Sequence, residues 1–182
     1  MKFFIFLFIL PIFCFAQLKP KQIDSLFIDD SRQIRNTYSI QRQIQWSNQL
    51  VEASQRAGYL KGEVLGYTNL ASIYRRNFKL RESLNYLYKA ECKSNALHDD
   101  FAKGRLYIEF AQVFYRMGLY QIAIRYCDMG ISYFSKMKPN LLYRKSLRYA
   151  FRFRGICYQV HDPREALDNL QQAAQLDPTP IV

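Results

Sequence analysis

Hydrophobic, aromatic and small residues recur along this chain in one fixed order. The first copy of the pattern comprises Tyr67, Leu70, Ala71, Tyr74, Ser83, Leu84, Leu87 and Ala90. Comparable residues follow 40 positions later at Tyr107, Phe110, Ala111, Phe114, Ala123, Ile124, Cys127 and Gly130. A third copy follows after 43 or 44 more positions at Phe151, Gly155, Tyr158, Ala166, Leu167, Leu170 and Ala173. A repeated pattern of this length predicts stacked repeats that bury their faces against one another.

The spacing within each copy predicts two helices. The predicted helix pairs are 61–76 with 80–97, 101–117 with 119–137, and 141–160 with 163–176. Two earlier helices are predicted from about Ile23 to Arg35 and from about Ser39 to Arg56, with Gly58 as a helix stop. Asp99 or Asp100, Asn140 and Asp162 are suitable caps for the helices that follow them. No alternating strand pattern competes with these helices.

The order of residues in each copy resembles the tetratricopeptide repeat, and the run from Ala173 to Pro178 resembles the ending of that repeat. The resemblance covers roughly residues 38–178, with a period closer to a forty-residue variant of the family than to its usual ~34 residues. It implies an all-α fold, a right-handed solenoid of stacked antiparallel helix pairs whose first helices line a concave face. Arg154 departs from the pattern, because the other copies hold Leu70 and Phe110 there.

The first residues have the features of a signal peptide. Lys2 precedes an apolar run from Phe3 to Phe15, and Cys14 and Ala16 are small residues at the two positions that a signal peptidase reads. We therefore expect cleavage after Ala16 and a periplasmic or secreted protein. A retained anchor and lipoprotein processing at Cys14 are the alternatives, and the bulky Phe13 disfavours the second. No second long apolar run follows, so no membrane span is expected in the mature chain.

These features divide the chain into segments. The predicted divisions are a signal peptide at 1–16, a flexible leader at 17–22, a degenerate leading helix pair at 23–58, three repeats at 59–178 and a tail at 179–182.

No residue pattern indicates catalysis, a metal or a cofactor. His98 and His161 are isolated at predicted turns, and no nucleophile motif, phosphate-binding glycine loop or zinc-ligand spacing is present in the sequence. We therefore expect no enzyme activity. Cys92, Cys127 and Cys157 remain after loss of the signal peptide, and the sequence leaves open whether any two of them form a disulfide.

The strongest candidate site is a basic groove on the first helices. The chain carries a formal net charge of +11, which favours anionic partners. The spacing of the repeats places a set of polar, basic and aromatic residues on the implied concave face: Ser72, Arg75, Arg76, Arg105, Gln112, Arg116, Tyr149, Arg152 and Gln159. Arginines in this arrangement suit the carboxylates of an acidic peptide segment. The lysine and asparagine pattern of the family's carboxylate clamp is not reproduced.

The favoured interpretation is a non-catalytic module that binds a segment of another protein, without direct contact to nucleic acid. The alternative is the exported sensory part of a longer membrane-linked transcriptional regulator with a helix-turn-helix domain. The signal segment, the forty-residue period and the end of the chain four residues after Pro178 all fit that alternative. The sequence identifies neither the partner nor the oligomeric state, and an enzyme is poorly supported.

Overall fold

The computed structural model describes residues 19–29, 39–159 and 161–176, and these ranges contain helices and turns but no strand. The helices in this part of the chain are α1 (Pro20–Asp29), α2 (Ile40–Arg56), α3 (Leu60–Arg76), α4 (Leu80–Ser94), α5 (Asp100–Arg116), α6 (Tyr120–Ser135), α7 (Leu141–Tyr158) and α8 (Pro163–Gln175). The predicted all-α class is confirmed for the described residues. The predicted signal peptide at 1–16 and the tail at 179–182 lie outside them.

Six of the described helices begin and end within two residues of their predicted bounds, and α1 and α4 differ more. Helix α1 begins at Pro20 rather than Ile23, so residues 20–22 of the predicted leader are helical. Proline suits the first position of a helix because that position needs no amide donor. The predicted end of this helix at Arg35 lies outside the described residues.

Helix α4 ends at Ser94, three residues before its predicted end. The chain turns there, which buries Leu97 in the core. It also brings Asp99 to the start of α5, where its side chain accepts a hydrogen bond of 2.8 Å from the amide of Ala102. Helix α4 therefore ends early because the turn buries Leu97 and places Asp99 as the cap of α5.

The other two predicted caps are confirmed. Asn140 accepts a 2.9 Å hydrogen bond from the amide of Tyr143. Asp162 accepts from two amides in the first turn of α8, each at 3.1 Å. These side chains satisfy backbone donors that have no partner within the helix, which fixes where α7 and α8 begin.

Three turns between helices share one backbone geometry. Gly58, Phe78 and Gly118 follow α2, α3 and α5, with φ values of 60°, 58° and 76°. In each turn the next amide donates to the carbonyl five residues earlier, at 2.8, 3.0 and 2.9 Å respectively. This is the hydrogen bond of a left-handed helix stop, for which glycine is the usual residue. Gly58 was predicted as a stop, whereas the left-handed Phe78 was not.

The helices pack in chain order. From α2 to α8 each helix contacts the next, α3 also lies beside α5, and α1 contacts α2 and α3. Buried side chains form one cluster that includes Leu50, Leu65 and Phe110. A second cluster includes Ile124 and Leu147, between α6 and α7. The two clusters run along the helix array and hold successive helix pairs together.

Small residues lie at the same contact in all three repeated copies. The pairs are Ala71 with Ser83, Ala111 with Ala123, and Gly155 with Ala166, and all six residues are buried. The hydroxyl of Ser83 donates to the carbonyl of Ala71 at 2.8 Å. A Cβ on Gly155 would lie 3.1 Å from the carbonyl oxygen of Ala166. The two helices of each pair thus approach closely because no larger side chain separates them.

The three described cysteines are free thiols. Cys92 is exposed, whereas Cys127 and Cys157 are buried in the cluster between α6 and α7. The neighbouring Cys157 thiol and burial raise the pKa of Cys127 well above the ordinary thiol value. Cys127 is completely buried and occupies its repeat position as a small apolar residue.

None of the helices in the described ranges combines the length and the apolar character that crossing a bilayer requires.

Candidate functional site

The described part of the chain contains a groove of about 980 Å³. We call it the basic groove. Residues of α3, α5 and α7 form most of its lining, with further contributions from α2 and α8 at its ends. Its polar and charged lining residues are Gln43, Ser47, Thr68, Asn69, Ser72, Arg75, Arg76, Arg105, Glu109, Gln112, Arg116, Lys145, Ser146, Arg148 and Arg152. Seven of them are basic and one is a carboxylate, so the groove carries a strong positive excess.

Eight of the nine residues predicted for the site line this groove. They are Ser72, Arg75, Arg76, Arg105, Gln112, Arg116, Tyr149 and Arg152. Gln159 does not line it. It is the cap residue after the last turn of α7 and is exposed where the chain turns toward α8. Ligand binding by all nine residues stays a prediction.

Arg75 forms a buried ion pair inside the protein. Its Nε donates to Oε1 of Glu109 at 2.5 Å, and the two residues are only 9% and 7% exposed. Gln112 donates to the second oxygen of Glu109 at 3.3 Å, and Arg75 also donates to the hydroxyl of Ser72 at 3.4 Å. This network joins α3 to α5. Arg75 therefore supports the groove, and its contact with a partner carboxylate stays a prediction.

Two further arginines hold amide side chains of neighbouring helices. Arg76 donates to the side-chain oxygen of Gln43 on α2, and Arg105 donates to that of Asn69 on α3, both at 2.9 Å. The guanidinium of Arg105 also lies 5.9 Å from the ring centre of Phe101. These hydrogen bonds orient the two guanidinium groups along the groove.

The α7 side of the groove presents its basic residues to solvent. Lys145, Tyr149 and Arg152 follow each other at spacings of four and three, which places them on one helical face. All three are exposed. Neither Lys145 nor Arg152 forms an ion pair with any described residue. Across the groove Arg116, at the end of α5, is also exposed. These basic side chains are therefore accessible to a carboxylate that approaches from solvent.

A smaller notch of about 250 Å³ lies between α5 and α7. Arg116, Tyr149 and Arg152 contribute to its lining, together with Tyr115 and Phe153. The rings of Tyr115 and Phe153 meet edge to face at 5.6 Å and connect the two helices at this end. The notch combines guanidinium groups with aromatic surface, a mixture that suits an acidic residue next to an apolar one.

Sequence reasoning missed several groove residues. Glu109 was missed although its place on α5, between Arg105 and Gln112, puts it on the same helical face. Lys145 and Arg148 belong to a basic stretch that is visible in the sequence, but the stretch was not connected to the groove. Gln43 and Trp46 lie on α2, outside the three repeats, so the repeat pattern gave no signal for them.

A separate charged cluster lies outside the groove. Lys61 contacts Asp99 at 3.0 Å and Asp24 at 3.5 Å, and the hydroxyl of Tyr59 donates to Asp24 at 2.6 Å. Burial, the hydrogen bond and the charge of Asp24 raise the pKa of Tyr59 above its ordinary value. Burial alone lowers the pKa of Lys61, but the two carboxylates outweigh burial and raise it. The cluster joins α1 to α3 and to the cap of α5.

His98 and His161 are both exposed, and the described residues contain no group of three potential metal ligands. Comparison of the whole chain with family models, with curated proteins and with solved structures gives no match. The proposed function therefore depends on the geometry of the basic groove.

Proposed function

We propose that this chain is a non-catalytic protein-interaction module that binds an acidic segment of a partner protein in the basic groove. The observation that carries the proposal is the composition of the groove, in which seven basic side chains accompany one carboxylate. That carboxylate, Glu109, is already paired with Arg75. A segment with several carboxylates complements the exposed basic side chains of Arg116, Lys145 and Arg152.

We further propose that the helices form a right-handed solenoid of tetratricopeptide-like repeats. Three observations support this. The left-handed stop recurs 40 residues apart at Phe78 and Gly118. A contact between small residues recurs in each helix pair, and the first helices α3 and α5 lie side by side. In such an array the first helices form a continuous surface, which suits an extended segment of another chain.

The residues best placed for the partner are Arg116, Lys145, Tyr149 and Arg152. They are exposed on the two sides of the groove, α5 and α7. Guanidinium groups bind carboxylates through two parallel hydrogen bonds. Tyrosine adds contact area and a hydroxyl at low cost in conformational entropy. Arg75, in contrast, holds the two helices that carry the surface.

Export is a second part of the proposal, based on the sequence of residues 1–16. We propose cleavage after Ala16, which makes Gln17 the first residue of a periplasmic or secreted protein. Expression of the full chain in a bacterium, fractionation and intact-mass measurement check this. A periplasmic product that begins at Gln17 supports export, and a product that retains Met1 in the cytoplasm contradicts it.

The groove is tested with a fluorescein-labelled peptide rich in glutamate and its lysine-rich counterpart. The triple variant Arg116→Gln, Lys145→Gln and Arg152→Gln is compared with the unchanged protein. We expect the glutamate peptide to bind, with an affinity that falls as salt rises. The variant is expected to bind about tenfold more weakly, since three exposed ion pairs of roughly 0.5 kcal/mol each sum to about 1.5 kcal/mol, close to the ~1.4 kcal/mol of a tenfold change.

A control variant removes the same charge elsewhere. Arg81, Arg125 and Lys138 are exposed and do not line the groove, so Arg81→Gln, Arg125→Gln and Lys138→Gln should leave the affinity within about twofold of the unchanged protein, because distant exposed charges are screened. An equal loss in both triple variants would show that binding reflects net charge alone and would contradict the groove. Preference for the lysine peptide would also contradict it.

A further inference from the structure

Phe78 occupies a backbone conformation that disfavours its side chain. Its φ is 58°, and it is the one non-glycine residue with positive φ in the described part of the chain. The turn 40 residues later has Gly118 at the same position, with φ of 76° and the same hydrogen bonds. A left-handed conformation costs an L-residue other than glycine about 1–2 kcal/mol. Phe78 therefore carries a cost that its structural counterpart avoids.

Burial of the Phe78 ring does not offset this conformational cost. Phe78 is 73% exposed, more than any other large hydrophobic residue described. Met117 and Leu119, in the equivalent turn after α5, are also exposed. An exposed aromatic ring in a strained turn gains little in the folded protein by itself. Residues held in such conformations concentrate at sites of function.

Phe78 is continuous with the basic groove through Arg116. The guanidinium carbon of Arg116 lies 5.3 Å from the centre of the Phe78 ring. Arg116 lines both the groove and the notch between α5 and α7. The contact of a cation with the ring face holds the guanidinium at the groove edge. An apolar contact surface and a carboxylate-binding group are thus adjacent.

We propose that Phe78 is an anchor for the partner segment, whose apolar side chain packs on the ring while a neighbouring carboxylate pairs with Arg116. The inference rests on the proposed function and adds a specificity to it: an acidic segment that carries apolar residues binds better than a purely acidic one. The positive charge of the groove favours the carboxylate. The exposed ring favours the apolar neighbour.

A lipid surface is the competing partner for exposed aromatic and basic residues. The position of Arg116 argues against it. Its guanidinium lies over the ring, so insertion of Phe78 into a bilayer would carry a charged group toward the hydrocarbon, which is costly. A protein segment can contact the ring and the guanidinium together and leaves both at the surface.

The test uses Phe78→Gly and two labelled peptides, one alternating glutamate with leucine and one of glutamate only. Glycine suits this turn, so the variant should fold at least as well as the unchanged protein, which is checked by circular dichroism and urea unfolding. We expect the glutamate–leucine peptide to bind about tenfold more weakly to Phe78→Gly, equivalent to roughly 1.4 kcal/mol. The glutamate peptide should change by less than about twofold, because it has no apolar group to lose. Leu167→Ala removes another exposed apolar side chain, on α8, and should change neither affinity.

Three results would overturn the inference. Unchanged affinity of Phe78→Gly for the glutamate–leucine peptide would show that Phe78 is not an anchor. An equal loss of affinity for both peptides would show that the ring does not act as an apolar contact. Binding to vesicles of anionic lipid that falls in Phe78→Gly, with peptide binding unchanged, would assign the ring to a membrane. If neither peptide binds the unchanged protein, the proposed function itself fails.

Discussion

The side chain of Arg154 donates a hydrogen bond of 2.6 Å to Asn169, at the place where Phe110 stacks on Tyr126 one repeat earlier. The two contacts occupy equivalent positions, because Phe110 lies 44 residues before Arg154 and Tyr126 lies 43 residues before Asn169. Arg154 also pairs with Asp128 on α6. The third repeat thus replaces an aromatic stack with a polar pair, and the arginine that departs from the repeat pattern has its own partners.

Replacement of this arginine by the apolar residue found in the first copy should destabilise the protein. Asn169 is only 1% exposed, and Arg154→Leu leaves its side-chain oxygen without that donor. We expect the free energy of unfolding to fall by about 2 kcal/mol, measured by urea unfolding. Arg154→Phe combined with Asn169→Tyr rebuilds the stack of Phe110 and Tyr126. The double variant should lose less unfolding free energy than the sum of the losses in Arg154→Phe and Asn169→Tyr measured separately. Strictly additive losses would contradict the contact between positions 154 and 169.

Disrupting the buried pair of Arg75 with Glu109 should destabilise the protein more than removing an exposed arginine of the groove. Glu109→Ala leaves Arg75 buried without its carboxylate, and we expect a loss of about 3 kcal/mol in the free energy of unfolding. Arg152→Ala is the matched change on the exposed side of the groove and should cost less than about 0.5 kcal/mol. Urea unfolding of the two variants decides. Similar costs would mean that Arg75 and Glu109 do not form a buried pair in solution.

The stability cost of Gly130→Ala should depend on the neighbouring side chain of Ile108. A Cβ at this position would lie 2.7 Å from side-chain atoms of Ile108, so Gly130→Ala should cost about 1–3 kcal/mol through overpacking. In an Ile108→Ala background those atoms are absent. The same change should then cost almost nothing, since alanine is the better helix former and offsets the remaining close contact with the Gly104 carbonyl. Thermal and urea unfolding of the four proteins measure the coupling, and equal costs in both backgrounds would exclude the contact.

The raised pKa values of several tyrosines predict that the protein loses stability at alkaline pH. Burial is the main cause that raises the pKa of Tyr59, Tyr86, Tyr107 and Tyr126 above the ordinary value of 10.0. A group whose pKa is higher in the folded state contributes stability that is complete below the unfolded pKa and is lost as pH rises through the folded pKa. We therefore expect the tyrosine contribution to be constant to about pH 9 and to decrease above about pH 10.

This pH dependence is measured by urea unfolding across the alkaline range, with tyrosinate absorbance as a parallel record of ionisation. Tyr59→Phe removes one of the contributing hydroxyls and should make the alkaline decrease shallower. A free energy of unfolding that stays constant up to the pH at which all tyrosines ionise would contradict the prediction.

Much of the helical architecture was predictable because burial follows periodicity. The forty-residue offset located three helix pairs, and aspartate and asparagine marked their caps. Phe78 was missed because phenylalanine rarely adopts a left-handed conformation, although Gly118 at the same offset was an available signal. The early start of α1 at Pro20 was missed because the apolar pattern begins only at Ile23.

The candidate site was less predictable than the fold. Spacing along a helix indicates which face a residue occupies, and it placed most of the groove residues together. It does not indicate which partner a long side chain reaches, so the pair of Arg75 with Glu109 was not foreseen. Gln159 lies at the cap after α7, where a face defined by helical spacing ends.

The two sides of the groove are held by different interactions. Packed side chains and the Arg75–Glu109 pair connect α3 to α5, whereas α5 shares a buried apolar cluster with α7 and meets it through the rings of Tyr115 and Phe153. The hairpin of α7 and α8 packs on α6 and follows it through the five-residue connection at 136–140. A segment bound along the groove would therefore lie between one junction that depends on charge and one that depends on apolar packing.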